Sequence, residues 1–410
     1  MEPKKALHPS LEDVKRRLKE VRSYTLTHLG ALISELNASL AAYPDVEVRF
    51  ATDVGQAVEI VREISDGTTK IATNRSAVVA NELVPALISS GFQVVESYYD
   101  ELGPFENRFS GYWELPPMAF ESLSQSFERP VDLTALRQIS TQGNGAKDFI
   151  GLLGVNAISA NDGAVLMLQH SHNISMVFQQ AKKLILVAGL EKTVKNLDDS
   201  IFQTMCMGIF GLEALALGLS SRSEQKGNIE SLPFEIPLQQ TVGKIHLILF
   251  DNGRSQILQS RYKELLACIN CRACTRSCPA YRFFAKDTNW SPREYVYFFA
   301  LGKNPSLELC LQCKTCQANC PLDIDLPGMM LDAKADLLSG RHLPLGDRLF
   351  ANVETVEKWG SSMPWLANAL VRNRPLRWLG EKTLGISSER QLPKVQRRTF
   401  AKWFRPVRRK

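Results

Sequence analysis

The sequence predicts an α/β domain followed by a smaller, helical, cysteine-rich module. Three observations carry that prediction. Between residues 46 and 250, strand-like and helix-like patterns alternate, as in a parallel sheet with crossover helices. Eight of the nine cysteines then fall in two short phrases of one spacing. The last stretch has no cysteine and collects arginine and tryptophan instead. With 410 residues, 44% hydrophobic and 22% charged, there is material for two or three domains with buried cores.

Residues 1–45 read as a helical segment. Ser10 stands three positions before Asp13, a start resembling a capping box, and leucines then recur at helical spacing. The α/β domain takes residues 46–254. Val46 to Phe50 alternate as a strand, and an amphipathic helix runs from about Gly55 to Ser65. "TKIAT" is a second strand, "NELVPALISSG" a helix and "FQVVES" a third strand. "GPFENRFSGYWELPPMAFESLSQSF", rich in Gly, Pro and Ser, reads as an excursion. "AISANDGAVLMLQ" and "KKLILVAGL" are further strands, and "GKIHLILF" closes the sheet at about Phe250. The longest apolar stretch, Met205 to Ser221, carries Glu213 in its middle. It is short for a bilayer and reads as a buried helix. The cysteine module then takes residues 255–335, and residues 336–410 form a tail.

Bulk properties exclude several classes. Net charge is +6 and dispersed, too weak a signal for nucleic acid, although the closing "PKVQRRTFAKWFRPVRRK" is almost purely basic. The cysteines are clustered rather than spread as in a disulfide scaffold, and "MEPKKALHPSLEDVKRRLKE" has no apolar core of signal-peptide type. The expectation is a reduced, cytoplasmic protein, with peripheral attachment to the inner membrane face left open. No Ser-His-Asp set, glycine-rich dinucleotide fingerprint or P-loop is visible, so any flavin or nicotinamide belongs on a partner.

The first cysteine phrase supplies Cys268, Cys271, Cys274 and Cys278, closed by Pro279; the second supplies Cys310, Cys313, Cys316 and Cys320, closed by Pro321. Thiolate suits iron–sulfur clusters, zinc or copper. Structural zinc needs two separated C-x2-C knuckles, and two such zinc sites are the competing reading. Here each phrase places three thiols in one tight turn and a fourth after three residues, the bacterial ferredoxin run. Three thiolates wrap one cubane while the fourth points at the other. The spacing therefore predicts two 4Fe–4S clusters, one held by Cys268, Cys271, Cys274 and Cys320, the other by Cys310, Cys313, Cys316 and Cys278. Such a pair passes single electrons and shows no open coordination position for a substrate. Arg272, Arg276 and Lys314 inside the phrases favour reduced clusters, while Asp323 and Asp325 oppose them. Cys206, in the apolar helix, reads as a small buried hydrophobe.

"IHLILFDNGRSQIL" followed by "LLACINCRACTRSCPAYR" resembles the junction in iron–sulfur subunits of the lactate-utilisation (Lut) type, where a LUD domain runs into a two-cluster ferredoxin module. "LLGVNAISANDGAVLMLQHSHNISMVFQQAKKLILVAGLEKTV" resembles the heart of that domain, and "FFAKDTNWSPREYVYFFALGKNPSLELC" is similar to the C subunit of heterodisulfide reductases. The resemblance implies a NagB/RpiA/CoA-transferase-like α/β fold and electron transfer from oxidation of a 2-hydroxy acid such as lactate. It also implies partners: a CCG-domain subunit of the heterodisulfide reductase B kind, or a flavoprotein dehydrogenase.

Two regions remain open at this level. Asn161, Asp162, His170, His172 and Asn173 line a pocket in one reading, which makes the domain an enzyme for a small acid or CoA ester. In the other reading Asn-Asp-Gly merely turns a hairpin. "DNGR" reads as a structural turn in which Arg254 pairs with an acid. The tail carries Trp359, Trp365, Trp378 and Trp403 beside Arg372, Arg374, Arg377, Arg397 and Arg398. Aromatics with arginine anchor interfaces, so the tail is expected to dock a partner subunit. A membrane surface is the rival.

Overall fold

The computed structural model describes residues 11–74, 76–96, 149–167, 174, 177, 181–213, 244–284, 291–303, 310–339, 345–398, 400 and 404. Ser10, the Gly/Pro-rich excursion, His170, His172, Asn173 and Trp403 lie outside them. The chain divides into two compact units, residues 1–333 and 334–410.

The first unit is built on a six-stranded, all-parallel sheet. Its strands are β1 (Val46–Ala51), β2 (Lys70–Thr73), β3 (Gln93–Glu96), β4 (Ile150–Gly154), β7 (Lys183–Gly189) and β9 (Ile245–Phe250), in the order β1-β9-β7-β4-β2-β3. The inner strands alternate between two buried faces, as central parallel strands must. Leu184, Leu186, Leu247 and Leu249 meet the second half of α1 (Leu11–Leu40) through Leu29, Leu32, Leu36 and Leu40. Ile185, Val187, Ile248 and Phe250 meet α2 (Val54–Ser65) and α3 (Val84–Ser89) through Val58, Val61, Ile64 and Leu87. α2 starts where Asp53 Oδ1 accepts from the Gln56 N–H at 2.9 Å, a side-chain cap that fixes its first turn.

β4 is a strand that composition hides. Gly151 and Gly154 dilute its apolar signal, yet a Cβ at Gly154 would lie 2.1 Å from the Ser76 hydroxyl and one at Gly151 would lie 2.6 Å from Val177. Close packing demands glycine at the price of a weak strand signature. The expected single strand "AISANDGAVLMLQ" is instead a hairpin, β5 (Ala157–Ser159) and β6 (Val165–Leu166), with β5 also pairing parallel to β8 (Thr193–Val194). The buried helix expected from Met205 begins earlier, as α4 (Leu197–Gly208), and continues as a π turn at Ile209–Glu213.

α1 is kinked at His28. Its first half leaves the sheet and packs Val14 and Leu18 against Cys206, Phe210 and Ile269, the last lying inside the first cysteine phrase. Cys206 is fully buried and its thiol is pushed up by that burial. The α/β domain and the cysteine module thus share a core.

The second unit holds α11 (Leu345–Ala351), α12 (Val353–Ser362), α13 (Pro364–Arg372) and α14 (Arg374–Leu384). Asn373 caps α14, and Gly385 ends it in the left-handed conformation at φ 70°. None of the last three helices buries a residue. No described helix of the chain is long and apolar enough to cross a membrane.

Candidate metal centre

Each cysteine phrase folds the same way. Asn270 and Arg272 in the first, Gln312 and Lys314 in the second, take positive φ between 54° and 61°. These residues turn the chain so that successive thiols face inward. Short helices follow at the third cysteine, α6 (Ala273–Arg276) and α9 (Thr315–Ala318), and they pack against each other. The fourth cysteine ends the phrase, and after Cys278 the proline opens α7 (Pro279–Phe284).

The backbone aims amides at the sulfurs. The Asn270 N–H donates to Cys268 Sγ at 3.3 Å. Amides of Ala273, Thr315 and Gln317 serve Cys271, Cys313 and Cys316. Cys278 receives from Ala280 and Tyr281, and Cys320 from Leu322, Asp323 and Ile324. Such bonds stabilise thiolate and tune a cluster bound to it.

All nine cysteines are free. Burial pushes the Cys271 thiol up to about 12, with Cys268 and Cys320 adding to the shift. Cys274 is raised well above its ordinary range by burial and then by Cys268, Cys271, Cys320 and Cys316. On the other side, burial raises Cys316 to about 12, with Cys278, Cys310 and Cys313 contributing. Cys278 is raised by burial and, further down, by Cys313 and Cys310. Cys320 is thus coupled electrostatically to Cys268, Cys271 and Cys274, and Cys278 to Cys310, Cys313 and Cys316. Cys278, Cys310, Cys313 and Cys316 also line one cleft, together with Pro292 and Met330. Among the described residues, no three His, Cys, Asp or Glu gather tightly enough to hold a single ion. Two sets of four soft donors, each with amides at its sulfurs, fit iron–sulfur clusters in ligand type and number.

The side chains expected to set the charge do so only in part. Arg276 donates to the Phe210 carbonyl at 2.5 Å and so docks the module onto α4's π turn. Asp325 caps α10 (Leu326–Leu338), accepting from the Gly328 N–H at 3.0 Å. Asp323 lies 3.9 Å from Lys19 on the surface.

The strongest charges lie deeper. Arg254 of "DNGR" is fully buried, and its Nη2 and Nη1 donate to the two Glu82 oxygens at 2.8 and 3.1 Å while Nε donates to Glu191 Oε2 at 2.5 Å. Burial alone would raise the Glu191 carboxyl, yet Arg254, Lys192 and Arg293 hold it down to about 2. Tyr297, from α8 (Pro292–Ala300) of the cysteine module, donates to Glu82 at 3.4 Å, and Asn252 donates to the same oxygen at 2.7 Å. These groups occupy the space beyond the carboxyl ends of β7 and β9, where open α/β sheets bind ligands. Arg22 of α1 is also buried; it donates to the Leu266, Ala267 and Glu191 carbonyls and to Gln203. Sequence pattern did not single out Arg22, Glu82, Glu191, Lys192 or Arg293.

At the β5–β6 turn, Asn161 Oδ1 accepts from Ser159 Oγ at 3.0 Å, and Asp162 Oδ1 accepts from the Ala164 N–H at 2.9 Å. With Gly163 at φ 74°, this is turn chemistry.

Residues 45–206 match the LUD domain, and residues 264–324 match the 4Fe-4S dicluster domain. The chain is 24% identical to "Lactate utilization protein B" of Bacillus pumilus (strain SAFR-032), over 94% of this chain and 87% of that one. Identity is 24% to the protein of the same name from Bacillus cereus (strain AH820) and 23% to that from Bacillus cytotoxicus, each over 94% of this chain and 86% of the relative. No solved structure matches the chain. A LUD domain with a parallel sheet is thus followed by a 4Fe-4S dicluster domain.

Proposed function

We propose that the chain is the iron–sulfur electron-transfer subunit of a lactate-utilisation oxidoreductase complex in the cytoplasm. The observation that supports this reading is the electrostatic coupling of the thiols across the two phrases, Cys320 to Cys268, Cys271 and Cys274, and Cys278 to Cys310, Cys313 and Cys316. Two 4Fe–4S clusters held there supply one-electron transfer. The chain's own part is to present sulfur ligands, to aim amides at them and to keep the first set under cover. The anaerobically purified protein is expected to carry about eight iron and eight sulfide. Stoichiometric zinc without broad visible absorbance would overturn the reading.

The rival, an enzyme whose LUD domain transforms a small acid or CoA ester, has less support. Arg254, Glu82, Glu191 and Tyr297 fill the space beyond the carboxyl ends of β7 and β9 where such a substrate would lie. The domain is read as NagB/RpiA/CoA-transferase-like in fold with that ligand position blocked. The isolated chain should therefore not reduce a dye with lactate, and turnover by the pure subunit would favour the enzyme.

The tail is read as the docking element for a CCG-domain subunit or a flavoprotein dehydrogenase. Trp359, Trp365 and Trp378 are 76%, 73% and 59% exposed on helices that bury nothing. Residues 334–410 hold seventeen Lys and Arg against six Asp and Glu. An acidic, apolar-grooved subunit complements that surface. Substituting Trp365 and Trp378 by alanine is expected to weaken co-purification at least tenfold without disturbing iron content. If the doubly substituted protein keeps its partner but no longer sediments with anionic vesicles, the inner membrane face is the true target.

A further inference from the structure

Electron tunnelling falls off steeply with distance, so a carrier exchanges electrons where a cluster lies near its surface. The two cysteine phrases differ in that respect. No residue from Cys268 to Cys278 is exposed. α1 covers that phrase: Val14 and Leu18 pack on Ile269, and Arg22 donates to the Leu266 and Ala267 carbonyls at 2.6 and 2.9 Å. The π turn after α4 covers it as well. A Cβ at Gly211 would lie 3.1 Å from the Cys271 carbonyl oxygen, and Arg276 donates to the Phe210 carbonyl.

In the second phrase Leu311 is 64% exposed, and Cys313 and Lys314 are exposed with it. All three line the cleft that also holds Cys278, Cys310 and Cys316. Lys314 is the one charged residue on that lining, and the others are cysteine or apolar. A complementary face is therefore apolar with carboxylates at its rim. A single lysine suits a brief encounter, the class of redox complexes that bury less than about 1,200 Å².

We propose that this cleft is the electron port of the chain, where a redox protein with an acidic, apolar contact face docks and exchanges electrons with the cluster of the second phrase. The inference rests on the two-cluster reading above and adds a contact for the electron to the tail's contact for assembly. Each encounter moves one electron: the partner's flavin or iron–sulfur group is oxidised as the cluster is reduced, or the reverse, and no bond forms or breaks. The roofed cluster trades electrons through the second one, across the contact between α6 and α9.

The test is stopped-flow reduction of the whole, cluster-loaded chain by flavodoxin hydroquinone, an acidic flavoprotein, under anaerobic conditions. Lys314→Glu should slow the bimolecular rate at least tenfold at low salt, and high salt should shrink that difference. Leu311→Ser should slow it at least threefold at either salt. Lys19→Glu reverses an exposed charge on α1, on the roofed side, and should change the rate less than twofold. Both cleft variants should keep about eight iron. Equal losses for Lys314→Glu and Lys19→Glu, or unchanged rates in both cleft variants, overturn the proposal. If Lys314→Glu loses iron, Leu311→Ser decides, and full iron with the wild-type rate overturns it. A wild-type chain that flavodoxin cannot reduce overturns the partner chemistry. A wild-type chain with only one cluster sinks the two-cluster reading itself, which iron content shows before any rate is measured.

Discussion

The two cysteine phrases share one spacing and one backbone, with positive φ at the same two positions, yet their surroundings differ. The first is roofed by α1 and α4, and Ile269 lies in their common core. The second borders an open cleft beside exposed Leu311 and Cys313. Local spacing decides how thiols are presented. What lies around them decides who reaches them and what charge they tolerate. A repeat in sequence is therefore two different sites in the molecule, and four experiments probe that difference.

The largest effect is expected from Cys320→Ser. Cys320 belongs to the second phrase but is coupled electrostatically to Cys268 and Cys271. The substitution should strip or convert the cluster of the first phrase and spare the other. Spectra in which only the second phrase's cluster changes would show that the ligands do not cross.

Arg254→Met comes next. It leaves Glu82, 6% exposed, without its hydrogen-bonded cation, and Glu191, 1% exposed, with only Lys192 and Arg293 facing it. Removing one partner of a buried ion pair costs about 3–5 kcal/mol. Denaturant unfolding should show that loss, and a cost below about 1 kcal/mol would mean that the network relaxes freely.

Some of this was legible in the residues. β1, β7 and β9 stand out as apolar or alternating runs, and the doubled cysteine spacing marked a 4Fe-4S dicluster domain. β4 was hidden because close packing against Ser76 and Val177 requires the glycines that weaken its pattern. The buried charges were harder still, since a charged residue is read as exposed by default. Two signals were available. Arg22 falls on the same α1 stripe as Leu18, Leu29 and Leu36. Glu191 and Lys192 come one residue, Leu190, after the fully apolar end of β7. A charge inside an apolar stripe, or at the carboxyl end of a central strand, marks a position that tertiary structure must compensate.

A third experiment uses acid on the buried side. The Glu191 carboxyl is held at about 2 in the folded chain against an ordinary value of 4.5. Its stabilising contribution is full above pH 4.5 and is lost as pH falls toward about 2. Over that window the wild-type chain should lose roughly 3 kcal/mol that Glu191→Gln does not lose. Identical acid profiles for the two proteins would show that the carboxyl is not held down.

The smallest effect separates the two phrases directly. Cys313 is exposed, and a hydrogen bond from the Thr315 side chain followed by that of its backbone amide lowers its thiol below the ordinary value. Cys271 and Cys274 are only partly accessible, and burial raises both. Alkylation needs thiolate as well as access, although a lower pKa also makes each thiolate a weaker nucleophile. In the cluster-free chain at pH 8, iodoacetamide should therefore label Cys313 about tenfold faster than Cys271 or Cys274, as read by peptide mass spectrometry. Cluster loading should protect all three. Equal rates in the cluster-free chain would mean that the roof over the first phrase opens without its cluster, and that the difference between the two sites depends on the metal rather than on the fold.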